Sequence, residues 1–315
     1  MRFIKVISSI LSCVALAAAL AGCGVITDMA KDNEWRFGYF GKVDYVSPVK
    51  LRVGVVPFSD EVGLGTSNVG NHLANLMTEE MGRDSKLQVV SVEEVQSAMM
   101  ARGFYSPLSP QQAAVIGDDL RLNAIILGSL SEIKKYNVRK GWRRLARIVT
   151  DQREYVDAVL AVSAVDAQTG IVLVSRANVG EYDAGTGNKD FFESGDVENH
   201  QPDQEAIEAS LDNALNEAYW RTRQGLAALP FKVKALTVYN SQVTINAGSE
   251  VGLKKGHIFA KLEVENVITN TIGESYQIMG APVAKLKVID LTKTSATLEI
   301  TEGFLYPGDV IQMID

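Results

Sequence analysis

Apolar residues recur along this chain with two different periods, and the point where one gives way to the other divides it. In the first part helical and strand periods are mixed. Lys50 to Asp60 is a short apolar run ending in turn residues, which predicts a buried strand. Val69, Leu73, Leu76, Met77 and Met81 fall on one helical face, with Ser67 or Asn68 positioned to cap it. Leu87 to Val90 reads as a brief strand. Val92 to Met100 reads as a helix, because Ser91 with Glu94 three residues on has capping-box spacing. Ser109 and Pro110 open a further helix, since proline suits a first helical position. Ala124 to Leu130 is a second buried strand. Tyr155 to Val165 alternates, turns at Asp166-Ala167-Gln168-Thr169-Gly170 and returns through Ile171 to Val179, which predicts a hairpin. Gln204 to Leu229 carries Ile207, Leu211, Ala214, Leu215, Ala218 and Leu226 at helical spacing and stops at Pro230. The predicted order is β-α-β-α-α-β-β-β-α, a mixed sheet with helices packed on it.

From Phe231 onward only strand patterns occur: 231–239, 242–247, 257–267, 281–290, 295–301 and 309–314. The turns between them use Gly248, Gly256, Gly273, Gly280 and Gly308. About 85 residues of short strands is the size of a small β-barrel or sandwich. The fold class is therefore α+β, with a mixed α/β domain over residues 50–229 and an all-β domain over 230–315.

Ahead of these lies Gly24 to Val49, which sustains neither period. It reads as a tether whose aromatics (Trp35, Phe37, Tyr39, Phe40, Tyr45) are available to dock on the body or on a neighbour. Before it, Met1 to Lys5 is cationic and Val6 to Leu20 has no charge. That run of about 15 residues falls short of the roughly 20 that span a bilayer core, so residues 1–22 read as a secretory signal. The formal net charge of −7 becomes more negative once Arg2 and Lys5 leave with the signal. This argues against nucleic acid or anionic lipid as the main partner. Cys13 leaves too, so the mature chain keeps only Cys23 and has no disulfide or cysteine metal site. His72, His200 and His257 are too widely spaced to suggest a metal cluster. No cofactor and no small-molecule substrate are expected.

Leu20-Ala21-Gly22-Cys23 resembles a bacterial lipobox. The resemblance implies cleavage before Cys23, diacylglycerol on its sulfur and acylation of the new N-terminus, a covalent lipid that holds residues 23–49 to a membrane. More than one acyl chain makes such an anchor stable. Gly24 rather than Asp follows, so outer-membrane attachment facing the periplasm is expected. The first domain resembles the CsgG family of envelope lipoproteins and the middle domain of the flagellar FlgT family. The residues that carry this are Val53-Gly54-Val55-Val56-Pro57-Phe58, Val89 to Val95, Ala124 to Leu130 and Val165-Asp166-Ala167-Gln168-Thr169-Gly170. The second domain resembles the C-terminal domain of FlgT, through Val243 to Gly248, Val251 to Phe259 and Pro307 to Ile311. That resemblance implies a small SH3-like β-barrel. It also implies a structural or assembly role in an envelope complex, such as a flagellar basal-body ring or a surface-appendage (curli-like) export apparatus.

Two departures bear on this. A CsgG-type secretion channel needs membrane strands of alternating outward apolar residues, and Lys134 to Glu154 and Gly180 to Pro202 do not alternate cleanly. The extra N-terminal domain of FlgT is replaced by the tether. A basic segment (Arg139, Lys140, Arg143, Arg144, Arg147) and an acidic one (Asp190, Glu193, Asp196, Glu198) are candidate subunit contacts. The basic edge of one copy would meet the acidic edge of the next in a homo-oligomer. A solvated hairpin or surface loop is the plainer reading of the basic segment. Gly63 to Gly70 sits between strand and helix, but lacks the Lys-Ser/Thr ending of a phosphate loop. No Ser-His-Asp grouping, G-x-S-x-G elbow or HExxH occurs. The expectation is a non-enzymatic lipoprotein that binds other envelope proteins. Two other readings stay open: a secretion-channel subunit and a lipoprotein regulator of a periplasmic cell-wall enzyme.

Overall fold

A computed structural model describes residues 43–64, 68–139, 152–186 and 204–314. Its first sheet holds β1 (Leu51–Val55), β2 (Ser59–Asp60), β3 (Leu87–Val89), β4 (Ala124–Arg139), β5 (Gln152–Asp166) and β6 (Val172–Thr186). The helices are α1 (Val69–Gly82), α2 (Val92–Ala101), α3 (Pro110–Asp119) and α4 (Gln204–Ala227). The sheet order is β3-β1-β4-β5-β6, with β2 beside β4. β1 runs parallel to β3 and β4, and β4, β5 and β6 form an antiparallel meander. Parallel neighbours need crossovers, which α1 supplies between β1 and β3, and α2 with α3 between β3 and β4.

Because strand side chains alternate between faces, the two central strands feed two cores. Leu51, Val53, Val55, Ala124 and Ile126 pack with Met77 and Met81 of α1 and Leu211, Leu215 and Ala218 of α4. Val56, Ile125 and Val165 pack on the other side with Val95, Met99 and Ile116. Helix starts follow the predicted chemistry. Ser91 Oγ accepts from Glu94 N, and Ser109 with Gln112 forms a complete capping box behind Pro110. Asn68 is the N-cap of α1 but makes no capping bond with its side chain, whose Oδ1 accepts from Asn71 instead.

The second sheet has the order β7 (Lys232–Lys234), β13 (Val310–Met313), β10 (Ile258–Thr269), β11 (Ser275–Leu291), β12 (Ala296–Gly303), β9 (Gln242–Ile245), β8 (Thr237–Tyr239). Its two ends, β7 and β8, are separated in sequence only by Ala235 and Leu236, and no ladder joins them to each other. The expected SH3-like barrel is therefore not closed by strand pairing. Residues Tyr45–Asp315 form one compact unit, and Phe231, Phe259, Leu286 and Ile311 share a core with Leu226 of α4.

Three sequence expectations need correction. β4 does not stop at Leu130 but continues in register with β5 to Arg139, and β6 continues past Val179 to Thr186. Of the two plainer readings of the basic segment, hairpin or surface loop, its described part is hairpin ladder. Gly280 is not a turn residue: β10 and β11 form one long hairpin, with its turn at Asn270 to Glu274. The tether ends earlier than Val49, because Val46 N donates to the Ala227 carbonyl at the end of α4 and Val49 is buried.

Candidate functional site: the meander and the polar contacts that fix it

The meander is backed on one face by α4. Gly180 lets the helix approach, since a Cβ there would lie 1.9 Å from the Ser210 carbonyl oxygen. Asn213 of α4 donates its amide to the Glu181 carbonyl. The opposite face of the distal meander is polar. Tyr136 and Tyr155 stack with ring centroids 5.7 Å apart. The Tyr136 hydroxyl donates to Glu181 at 3.1 Å and to Asp157 at 3.3 Å. Asp157 lies directly opposite Glu181 on one side and Lys134 on the other. Like charges across a ladder repel, and the shared phenol offsets this. Burial, helped by Glu181, holds the Asp157 carboxyl above its ordinary range against the Tyr136 hydrogen bond. Burial and the bond to Glu181 push the Tyr136 phenol up to about 12, so it stays a donor at neutral pH. Among the described residues, no three His, Cys, Asp or Glu stand together in a way that could hold a metal ion.

The charged segments leave this same sheet. Arg139 pairs with Gln152, and Arg153 pairs with Thr186, so the chain departs from β4 and from β6 at one end of the meander. The Arg139 side chain and Lys140, Arg143, Arg144, Arg147, Asp190, Glu193, Asp196 and Glu198 lie outside the described residues, as do Leu20, Ala21, Gly22 and Cys23. The Gly63 to Gly70 loop is no phosphate cradle at its described start. Asp60 accepts from the N–H groups of Val62, Gly63 and Leu64, which occupies the donors an anion would need.

Four polar contacts that sequence reasoning missed hold the body together. Asn123 accepts from Arg52 N and donates to the Lys232 carbonyl, joining β1 to β7. Lys232 Nζ donates to Asp166 at 2.8 Å and to Gln277 at 3.1 Å, with both charged side chains buried. Asp166 opens the turn that carries the family resemblance, which was the one available signal. Glu274, at the tip of the β10–β11 hairpin, accepts from Ser175 N on the free edge of β6 and pairs with Arg176. An edge covered in this way is unavailable for stray pairing. Burial alone would raise the Glu274 carboxyl, but Asn270, Ser175 N and Arg176 together bring it below its ordinary range.

The fourth contact ties in the tether. Tyr45 hydroxyl and Arg223 Nε both donate to Asp84 Oδ2 at 2.7 Å, and Lys86 N donates to Oδ1. Burial pulls the Asp84 carboxyl up, yet these donors and the Arg223 charge hold it below its ordinary range. A folded-state carboxyl that is depressed stabilises above its unfolded-state pKa and stops doing so as pH falls through the folded value. Stability should therefore decline on the acid side of the ordinary carboxylate range, and Asp84→Asn should flatten that decline in urea melts taken across acidic pH. An unchanged acid limb would mean that Asp84 is not among the groups responsible.

The described body is thus a two-sheet α/β protein with a buried polar seam and a charged meander. No family model matches the chain, the CsgG and FlgT families included, and no curated protein matches it. Solved structures align with part of the chain. Lipoprotein GNA1162 from Neisseria meningitidis is 12% identical over 42% of this chain and 84% of its own, with a TM-score of 0.31. The LpoB C-terminal domain from Salmonella enterica is 16% identical over 44% of this chain and 86% of its own, with a TM-score of 0.30. The PelC dodecamer from Paraburkholderia phytofirmans is 13% identical over 57% of this chain and 89% of its own, with a TM-score of 0.27. At these TM-scores the likeness is partial and assigns no family.

Proposed function

We propose that this chain is an outer-membrane lipoprotein, held by lipid on Cys23, that serves as a non-enzymatic assembly component of an envelope complex. The observation that carries the assembly role is the extended ladder. Through it the chain leaves β4 after Arg139 and β6 after Thr186 at one end of the same sheet, which supports a reading in which each charged segment meets its opposite on a neighbouring copy. Such charges steer orientation and association rate more than they add affinity. Assembly through them is expected to weaken as salt rises. The flagellar-ring or appendage-export setting rests on the sequence resemblance alone. The ladder extension does not favour a secretion channel. Lys134 and Lys135 are consecutive in β4 and so point to opposite faces, leaving no uncharged face for lipid. No described helix is long and apolar enough to cross a membrane.

Cys23→Ala should move the protein from the membrane fraction to the soluble periplasmic fraction with its thermal unfolding unchanged. Retention in the membrane fraction would defeat the lipid-anchor reading. Native mass measurements on the lipidated protein should show oligomers that dissociate with salt. Monomers at every concentration would instead favour a regulator with a single partner surface.

A further inference from the structure

Residues Tyr45 to Lys50 strap the start of the chain to the body, and lysines gather around that strap. Val46 N donates to the carbonyl of Ala227, the last residue of α4, and Lys50 N donates to the Val251 carbonyl. Lys86 Nζ reaches the Pro48 carbonyl at 3.5 Å, and the Lys86 carbonyl accepts from Leu51 N. The Ser249 to Gly252 turn behind the strap is held by Ser249 N on the Thr292 carbonyl and Glu250 N on the Lys293 carbonyl. Lys254 and Lys255 follow that turn just past Leu253.

Lys50, Lys254, Lys255 and Lys293 are exposed. Lys255 pairs with Asp290, both side chains more than half exposed, which makes the pair a weak one. Among the described residues, Lys50, Lys86, Lys254 and Lys293 pair with no carboxylate. The acids beside them are Glu250 and Asp290. At the end of α1, Arg83 is taken up by Glu79 and Glu80, and Asp84 is buried under Tyr45 and Arg223. Cations therefore predominate around the strap, although the whole chain has a formal net charge of −7. One apolar side chain stands among them. Val46 is 67% exposed, between Tyr45, which is fixed by Asp84, and Ser47, which is buried.

We propose that this basic collar rests on the anionic phospholipid headgroups of the membrane that carries the anchor. The inference builds on the lipid-anchor reading above, because a lipid on Cys23 fixes which part of the body the bilayer meets. The chain from Cys23 to Tyr45 spans at most roughly 75 Å whatever its path, and it enters the body inside the collar. Tethering raises the effective concentration of headgroups at that face. Lysine, a compact point charge, attracts a phosphodiester without needing a fixed geometry, and each one near an anionic bilayer adds to the attraction. An apolar side chain among such cations suits the boundary between headgroups and acyl chains. The collar also sets an orientation. Helix α4 runs from Ala227 at the collar past Gly180 toward the far end of the meander, and its 24 residues cover about 36 Å. With the collar on the bilayer, the ends of β4 and β6 point away from it.

The test uses the mature chain with Cys23→Ala, so that no acyl chain contributes, and two kinds of vesicle: phosphatidylcholine alone, and phosphatidylcholine with added phosphatidylglycerol. In flotation at low salt, binding to the anionic vesicles should be at least about tenfold tighter than to the neutral ones, and raising the salt should remove the difference. Lys50→Gln, Lys254→Gln and Lys293→Gln together should weaken binding to the anionic vesicles by about tenfold or more. The melting temperature should not change, because all three side chains are exposed. Removing the same charge elsewhere, with Arg102→Gln, Arg121→Gln and Lys285→Gln, should weaken binding by no more than about threefold. The proposal fails if neither vesicle binds, if both bind alike, or if the collar variant loses no more affinity than the control variant. Failure of the anchor reads separately: Cys23→Ala would then stay with cell membranes washed in high salt, which releases collar contacts.

Discussion

Lys232→Ala is expected to destabilise the protein by about 3–5 kcal/mol, the usual cost of removing one member of a buried ion pair. The side chains of Lys232 and Asp166 are 8% and 3% exposed, so neither charge can turn to water when its partner is lost. Truncation would leave the Asp166 carboxylate with one oxygen bonded to Gln168 N and the other bare, and Gln277 would lose its donor as well. The pair also joins the meander turn of the first sheet to the opening strand of the second, so its loss loosens the contact between sheets. The pair itself need not add stability, because two charges must first be desolvated. Lys232→Met with Asp166→Asn should therefore recover more than roughly half of the loss, since asparagine still accepts from Gln168 N and no buried charge remains. Urea unfolding of the single and double variants decides the matter. A Lys232→Ala variant within about 1 kcal/mol of the parent, the range of an exposed pair, would mean that Asp166 reaches solvent in solution.

The seam that Lys232 belongs to shows where a single sequence is readable and where it is not. Helices α1, α2 and α3 were legible because their buried residues (Leu73, Met77 and Met81, or Val95 and Met99) recur at helical spacing behind recognisable starts at Ser91 and Ser109. Strands β1 and β4 were legible as far as they are apolar. Beyond Leu130 the signal fails for a physical reason. Alternation reports a strand only when one face is buried, and here Lys135 pairs with Glu154 on one face while Tyr136 engages Asp157 and Glu181 on the other. Those partners lie on strands far away in sequence, so nothing local marks them. The β10–β11 hairpin hides its length in the same way. Val264, Ile268, Tyr276 and Ile278 are all exposed, neither face is core, and Gly280 passes for a turn. Tyr45, Asn123 and Glu274 each act through the polar end of one side chain and leave no period at all. The candidate contact segments, basic from Arg139 to Arg147 and acidic from Asp190 to Glu198, were found from charge runs. The sheet supplies what charge runs lack, the common end from which both segments start.

Gly180→Ala is the second change with a large expected effect, because the meander keeps its shape only while α4 lies against it. A methyl at this position would meet the Ser210 carbonyl oxygen at 1.9 Å and the Ala214 nitrogen at 2.3 Å, both backbone atoms of α4. Overpacking usually costs about 1–3 kcal/mol where a side chain can yield. A helix backbone cannot yield locally, so about 3 kcal/mol or more is expected here. The backbone at Gly180 is not left-handed, so the penalty is steric and does not come from φ. Gly82 is the matched control: it is also outside the left-handed region, closes α1, and has nothing within 4 Å of where a Cβ would stand. Gly82→Ala should be neutral or stabilising by up to about 1 kcal/mol through helix propensity. Displacing α4 would also strain the Asn213 bond to the Glu181 carbonyl, in the middle of the helix, and the Val46 bond to the Ala227 carbonyl at its end. If the proposed salt-sensitive assembly holds, a Gly180→Ala variant that folds should lose it before it loses secondary structure. Equal melting temperatures for the Gly180 and Gly82 variants would mean that α4 can retreat from β6 at no cost, and that the meander owes its shape to its own ladder.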